Sequence, residues 1–148
     1  MATSTLVQFL AAGEESSTSD RRQVESFLAG GSITAGHLVG MDLAKTGADK
    51  ALYVTQSAGV ATVGSKNVVG VALATVAAGE RVDVVVAGYV DSAYVDGATV
   101  AGSALIGPIG TAGQAAIEAP GTTTGAVLGV ALAADTANFA PIFLFKRF

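Results

Sequence analysis

Gly70-Val71-Ala72-Leu73-Ala74 returns unchanged as Gly129-Val130-Ala131-Leu132-Ala133. Each copy follows two aliphatic residues, Val68-Val69 or Val127-Leu128. Each then leads through a small polar turn, Ala78-Gly79-Glu80 or Thr136-Ala137-Asn138, into an apolar stretch, Val82–Val86 or Pro141–Phe145. Upstream, Ala35-Gly36-His37-Leu38-Val39-Gly40 parallels Ala101-Gly102-Ser103-Ala104-Leu105-Ile106-Gly107, with one extra residue in the second copy. Identities in matched order with their flanking elements exceed what an Ala/Val/Gly-rich chain gives by chance. They predict two related units, about 32–90 and about 98–146.

From Ser32 onward, short runs enriched in Val and Ile alternate with Gly, Asp, Asn and Ser, the pattern of many short strands. The expected strands are Ile33–Val39, Ala51–Thr55, Val60–Val63, Val68–Ala74, Val82–Val90, Ser103–Ile106, Gln114–Ile117, Ala126–Ala133 and Pro141–Lys146. A sheet with one apolar face must cover it, and a duplicated β unit does so by closing on itself or on its twin. The expected fold class is therefore all-β: a small barrel or sandwich built from two tandem related β units, with an N-terminal arm containing a short helix.

That arm, residues 1–31, differs in composition from the β domain expected over 32–148. It carries the polar cluster Glu14-Glu15-Ser16-Ser17-Thr18-Ser19-Asp20. Asp20 can cap a helix over about Arg21–Ala29, with Gln23 at its third position, Val24, Phe27 and Leu28 on one face, and Gly30-Gly31 as the stop. Leu6, Phe9 and Leu10 repeat this grammar more weakly and fit a strand equally well. Apolar anchors beside Arg21 and Arg22 suit docking onto a protein surface. The candidate contacts with another protomer or a partner are thus Phe9, Arg21, Arg22, Val24, Phe27 and Leu28. A helix solvated on one side and packed on its own barrel explains the same residues.

Composition narrows function mainly by exclusion. The 148 residues contain no cysteine, which removes disulfides, thiolate metal sites and a cysteine nucleophile. A net charge of −4 without long basic runs argues against nucleic acid. Apolar residues make up 51% of the chain and charged ones 14%, and mean hydropathy is +0.56. Yet the longest near-apolar run, Val68–Ala78, is broken by Gly70 and Thr75 and is too short for a membrane helix. The start, Met1–Ala12, lacks a basic residue before its apolar stretch and does not read as a secretory signal. The surplus apolar surface is expected in subunit contacts. Pro141-Ile142-Phe143-Leu144-Phe145, an apolar strand with little protective charge, adds to that expectation.

The sequence brings together no convergent groups for a catalytic, cofactor or metal site. His37 is the single histidine; its repeat counterpart is Ser103, so the position is expected on a strand surface. Asp91 and Asp96 bracket Asp91-Ser92-Ala93-Tyr94-Val95-Asp96-Gly97, but their spacing fails the calcium-loop pattern, and Asp96-Gly97 reads as a turn joining the repeats. Gly107-Pro108-Ile109-Gly110-Thr111-Ala112-Gly113 lacks the Lys and following helix of a phosphate loop. Three tyrosines and no tryptophan leave few stacking platforms.

The order of motifs, Gly70–Val86 with its Ala77-Ala78-Gly79-Glu80 turn, the strand Val82–Gly88, then Asp96-Gly97-Ala98-Thr99-Val100-Ala101-Gly102-Ser103-Ala104-Leu105, then Gly129–Leu132 and a closing apolar strand, resembles the capsid decoration (cement) proteins of tailed bacteriophages. The likeness covers about Ser32–Phe148. It implies a structural, non-enzymatic protein on the outer capsid surface of the virion, with the major capsid protein and further copies of itself, usually as a homotrimer, as partners. It implies no cofactor, no nucleic acid and no membrane, and it transfers no catalytic residue. Another virion component, such as a head-fibre or tail base, fits the same features, as does a non-viral ligand-binding β-barrel.

Overall fold

A computed structural model of the protein describes residues 22–60, 64–119 and 125–145. It contains the strands β1 (Arg22–Ala29), β2 (Leu38–Met41), β3 (Tyr53–Gln56), β4 (Gly70–Ala72), β5 (Arg81–Tyr94), β6 (Ala104–Ile106), β7 (Ala116–Ile117), β8 (Gly129–Ala131) and β9 (Phe139–Leu144). A 3-10 turn over Gly47–Ala51 is the helical element among the described residues. The fold is all-β, as the punctuated Val-rich runs predict.

Neighbours follow the order β1-β3-β2-β4-β5-β9-β8-β6-β7, and β1 also pairs with β5. The first five strands therefore close into a ring. A parallel bridge from Val95 to Ala115 sets the end of β5 beside the start of β7 and closes the remaining strands into a second ring. The long strand β5 serves both: its stretch up to Gly88 pairs with β1, and the stretch from Gly88 to Tyr94 pairs with β9.

The rings correspond in register. Val39 faces Gly70 in the first, and Leu105 faces Gly129 in the second; Val71 faces Val85, and Val130 faces Phe143. The amide of Gly36 donates to Ala72 O and that of Gly102 to Ala131 O, both at 2.8 Å. Leu73 N–H donates to Asp83 O at 2.9 Å and Leu132 N–H to Pro141 O at 2.8 Å. Gly36 (φ +80°) and Gly102 (φ +87°) make the same left-handed turn, a conformation glycine adopts without steric cost. Ile106 faces Ala116 as Gly40 faces Thr55, so Ile106 takes the place of Gly40 and the two copies stay in step through that position.

Burial follows from the shared strand. Val82, Val84 and Val86 point into the first ring with Phe27, Ala29, Val39, Val54 and Ala72. Val85 points the other way, joining Leu38, Val68 and Val71 from the outside of the first ring to Val95, Leu105, Ile142 and Leu144 of the second. Buried on both faces, β5 reads as a continuous apolar run at Val84-Val85-Val86 rather than an alternating one.

The expected helix over about Arg21–Ala29 is corrected: Arg22–Ala29 is a strand. A helix of that length is marginal alone even with both ends capped, since it has one face to bury and nothing local to bury it against. Extended against β5, the same residues gain a ladder from Arg22–Gly88 to Leu28–Arg81, and their period-two pattern buries Phe27 and Ala29. The segment expected to lie outside the β domain thus supplies the first strand of the sheet. Of the expected strand Val60–Val63, residues 61–63 lie outside the described residues, and Val60 forms a single bridge to Ile109.

Candidate interaction surface

The residues singled out as protomer or capsid contacts do not form one face. Phe9 and Arg21 lie outside the described residues. Arg22 is half-buried opposite Gly88 and borders a surface pocket with Gly36, Asp91, Ser92 and Phe139. Val24 points outward and is 40% exposed. Phe27 belongs to the core of its own ring, and Leu28 is half-buried. Strand geometry explains the split: neighbouring residues point to opposite faces, whereas the helical reading grouped them.

The outward apolar side chains lie elsewhere. Leu73 and Leu132 occupy the same repeat position and both are exposed. Phe143 on the outer face of β9 and Phe145 just past its end are exposed, with ring centroids 6.4 Å apart. Leu52 is exposed next to Phe27, Leu28, Ser26 and Arg81, and these residues line a second surface pocket. The strand Pro141–Phe145 carried a sequence signal for this surface, but sequence alone does not say which of its residues face out.

Between the rings runs a seam organised by His37. Its ring stacks on Tyr94 with centroids 4.4 Å apart and planes 19° from parallel, and Tyr94 in turn lies 5.4 Å from Phe139. Gly36 O accepts the Tyr94 N–H and Gly113 O accepts the Leu38 N–H, both at 2.8 Å. Burial holds the His37 pKa below its usual value, and its Nδ1 has no hydrogen-bond partner. The expected surface strand position for His37 is therefore corrected: it is a half-buried seam residue.

The carboxylates serve local roles. Asp96 accepts the Ala98 amide at 2.9 Å and its carbonyl accepts the Thr99 amide, which makes the turn expected between the repeats. Tyr89 donates its hydroxyl proton to Asp91 at 3.0 Å, and that bond pushes the phenol pKa up. On the outer face of β1 and β5, Arg81 lies 3.8 Å from Asp83, and both bond to Ser26. Among the described residues, no three His, Cys, Asp or Glu side chains are grouped to hold a metal ion, and no helix is long and apolar enough to cross a membrane. What the arrangement offers chemically is apolar contact area with a few hydrogen-bonding groups at its rim.

No protein-family model matches the chain, and no curated protein is similar to it. Among solved structures, the chain is similar to the head fiber gp8.5 N base of bacteriophage phi29. The TM-score is 0.51 at 17% sequence identity, over 84% of this chain and 95% of that one. At that identity the likeness is one of fold.

Proposed function

We propose that the protein is a non-enzymatic structural component of a tailed-phage virion, bound to the outer surface of the head through the major capsid protein and stabilising the shell. The observation that carries this reading is the fold likeness to a phage head-fibre base, which spans nearly the whole of that chain. Exposed Phe143, Phe145, Leu73 and Leu132 fit a protein that works by surface contact. The same likeness favours a second reading, in which the chain is the base of a head fibre rather than a cement protein.

Mass spectrometry of purified virions, with gold-labelled antibody against this chain, tests both. Label on the head surface, with heads lacking the protein opening at lower temperature, is the expected result. Label at the root of a projecting fibre, without any change in head stability, favours the second reading. Absence of the chain from virions overturns both.

A further inference from the structure

We propose that the seam joining the two rings of one chain is reused between chains, the second ring of one copy seating on the first ring of another, head to tail. The proposal concerns how copies meet and does not depend on the virion reading.

Its first support is a face that is covered once and open once. Leu38, Val68, Val71 and Val85, on the outside of the first ring, are at most 8% exposed because the second ring packs over them. Their counterparts by register and sequence order are Ala104, Val127, Val130 and Phe143. The first three are only half-buried, and Phe143 is 36% exposed. The second ring thus repeats the docking face of the first, and no described residue covers it as the second ring covers the first.

The second support is the receiving groove, which is filled once and empty once. Tyr94, Gly113 and Phe139 of the second ring receive Gly36-His37-Leu38 of the first. Register places Leu28, Leu52 and Arg81 at the same positions of the first ring, and with Ser26 and Phe27 these line an open pocket. Sizes are exchanged in step. Gly113 leaves room for the His37 ring, since a Cβ there would lie 2.5 Å from His37 Nδ1; the first ring has bulky Leu52, and the incoming residue is the small Ser103. Leu28 N–H is already given to Leu52 O at 3.0 Å, so contact between copies rests on side chains rather than on the backbone bonds of the internal seam.

The occupant is a second copy because the complementary surfaces are both on this chain, and the second ring already occupies the face of the first. Such a contact is heterologous, using two different patches, and it propagates until it closes.

Sedimentation velocity on the full chain tests it. Phe143→Lys with Phe145→Lys removes the face, and Leu52→Lys alters the groove; each should weaken self-association about tenfold or more, the loss typical of an anchoring apolar contact. Mixed in equal amounts, the two variants should form heterodimers, since each retains one intact surface. As a check that avoids added charge, Ser103→Cys and Leu52→Cys variants of this cysteine-free chain should crosslink with each other in preference to themselves. Wild-type protein that stays monomeric overturns the proposal. So do variants that associate like wild type, a mixture no better than its parts, or Cys pairs that fail to crosslink selectively; capsid protein or residues 1–21 would then be the covering group.

Discussion

Gly70 and Gly129 stand at the same point of the two rings: a Cβ on Gly70 would run into the carbonyl oxygen of Val85, and one on Gly129 into that of Phe143. Val85 and Phe143 are themselves counterparts, so the identical pentapeptides follow from one steric demand met twice. Gly70→Val and Gly129→Val should each destabilise by about 2 kcal/mol or more, since strands must separate to admit the side chain. Gly31, where an added Cβ would meet open space, provides the control: Gly31→Ala should stay within about 1 kcal/mol. Urea denaturation of the three variants reads the difference, and near-neutral valine variants would refute the shared demand.

The repeat was legible because it depends on main-chain approach, which tolerates only glycine and so leaves an identity in the sequence. The first strand was not. Asp20, Gln23 and the spacing of Val24, Phe27 and Leu28 satisfy helix rules locally, and the competing partner, β5, is far away in sequence, where periodicity cannot register it. The interaction surface was legible only as a surplus of apolar residues. Val85 and Phe143 are equivalent, yet one is buried and the other exposed, because burial of that position depends on whether another ring follows.

Phe27 gives a direct measure of the corrected element. Packed in the first ring's core and 8% exposed, it should cost about 3–5 kcal/mol when replaced by Ala. Deleting residues 1–31 should be worse still, since it removes the strand that closes the first ring. Circular dichroism melting of both variants decides. If the truncated chain melts like the full one, β1 is not part of the folded core.

Asp83 is expected to matter little. Its ion pair with Arg81 is solvent-exposed, the side chains being 74% and 53% accessible, and such pairs contribute roughly 0–1 kcal/mol. Asp83→Ala should therefore lower stability by under about 1 kcal/mol, and 0.5 M salt should erase most of that loss. A larger, salt-insensitive loss would show that the hydrogen bonds through Ser26, rather than charge, hold this face.

His37 should make the seam sensitive to acid. The folded state holds its pKa below the usual 6.5 because burial disfavours the imidazolium. Between the lowered folded value and 6.5 the unfolded chain therefore binds more protons than the folded one, and stability rises with pH. Above about pH 7 this contribution is constant; on acidification through 6.5 it is lost progressively, until the folded-state imidazole also titrates. The stacked Tyr94 ring and the close approach of Gly113 leave the unpartnered Nδ1 no acceptor for an added proton. His37→Phe keeps an aromatic ring over Tyr94 and removes the titration. Urea midpoints measured from pH 8 to 5.5 should fall for the native chain and fall less for the variant. Parallel pH profiles for the two proteins would mean that protonated His37 escapes to solvent, and that the seam opens without cost.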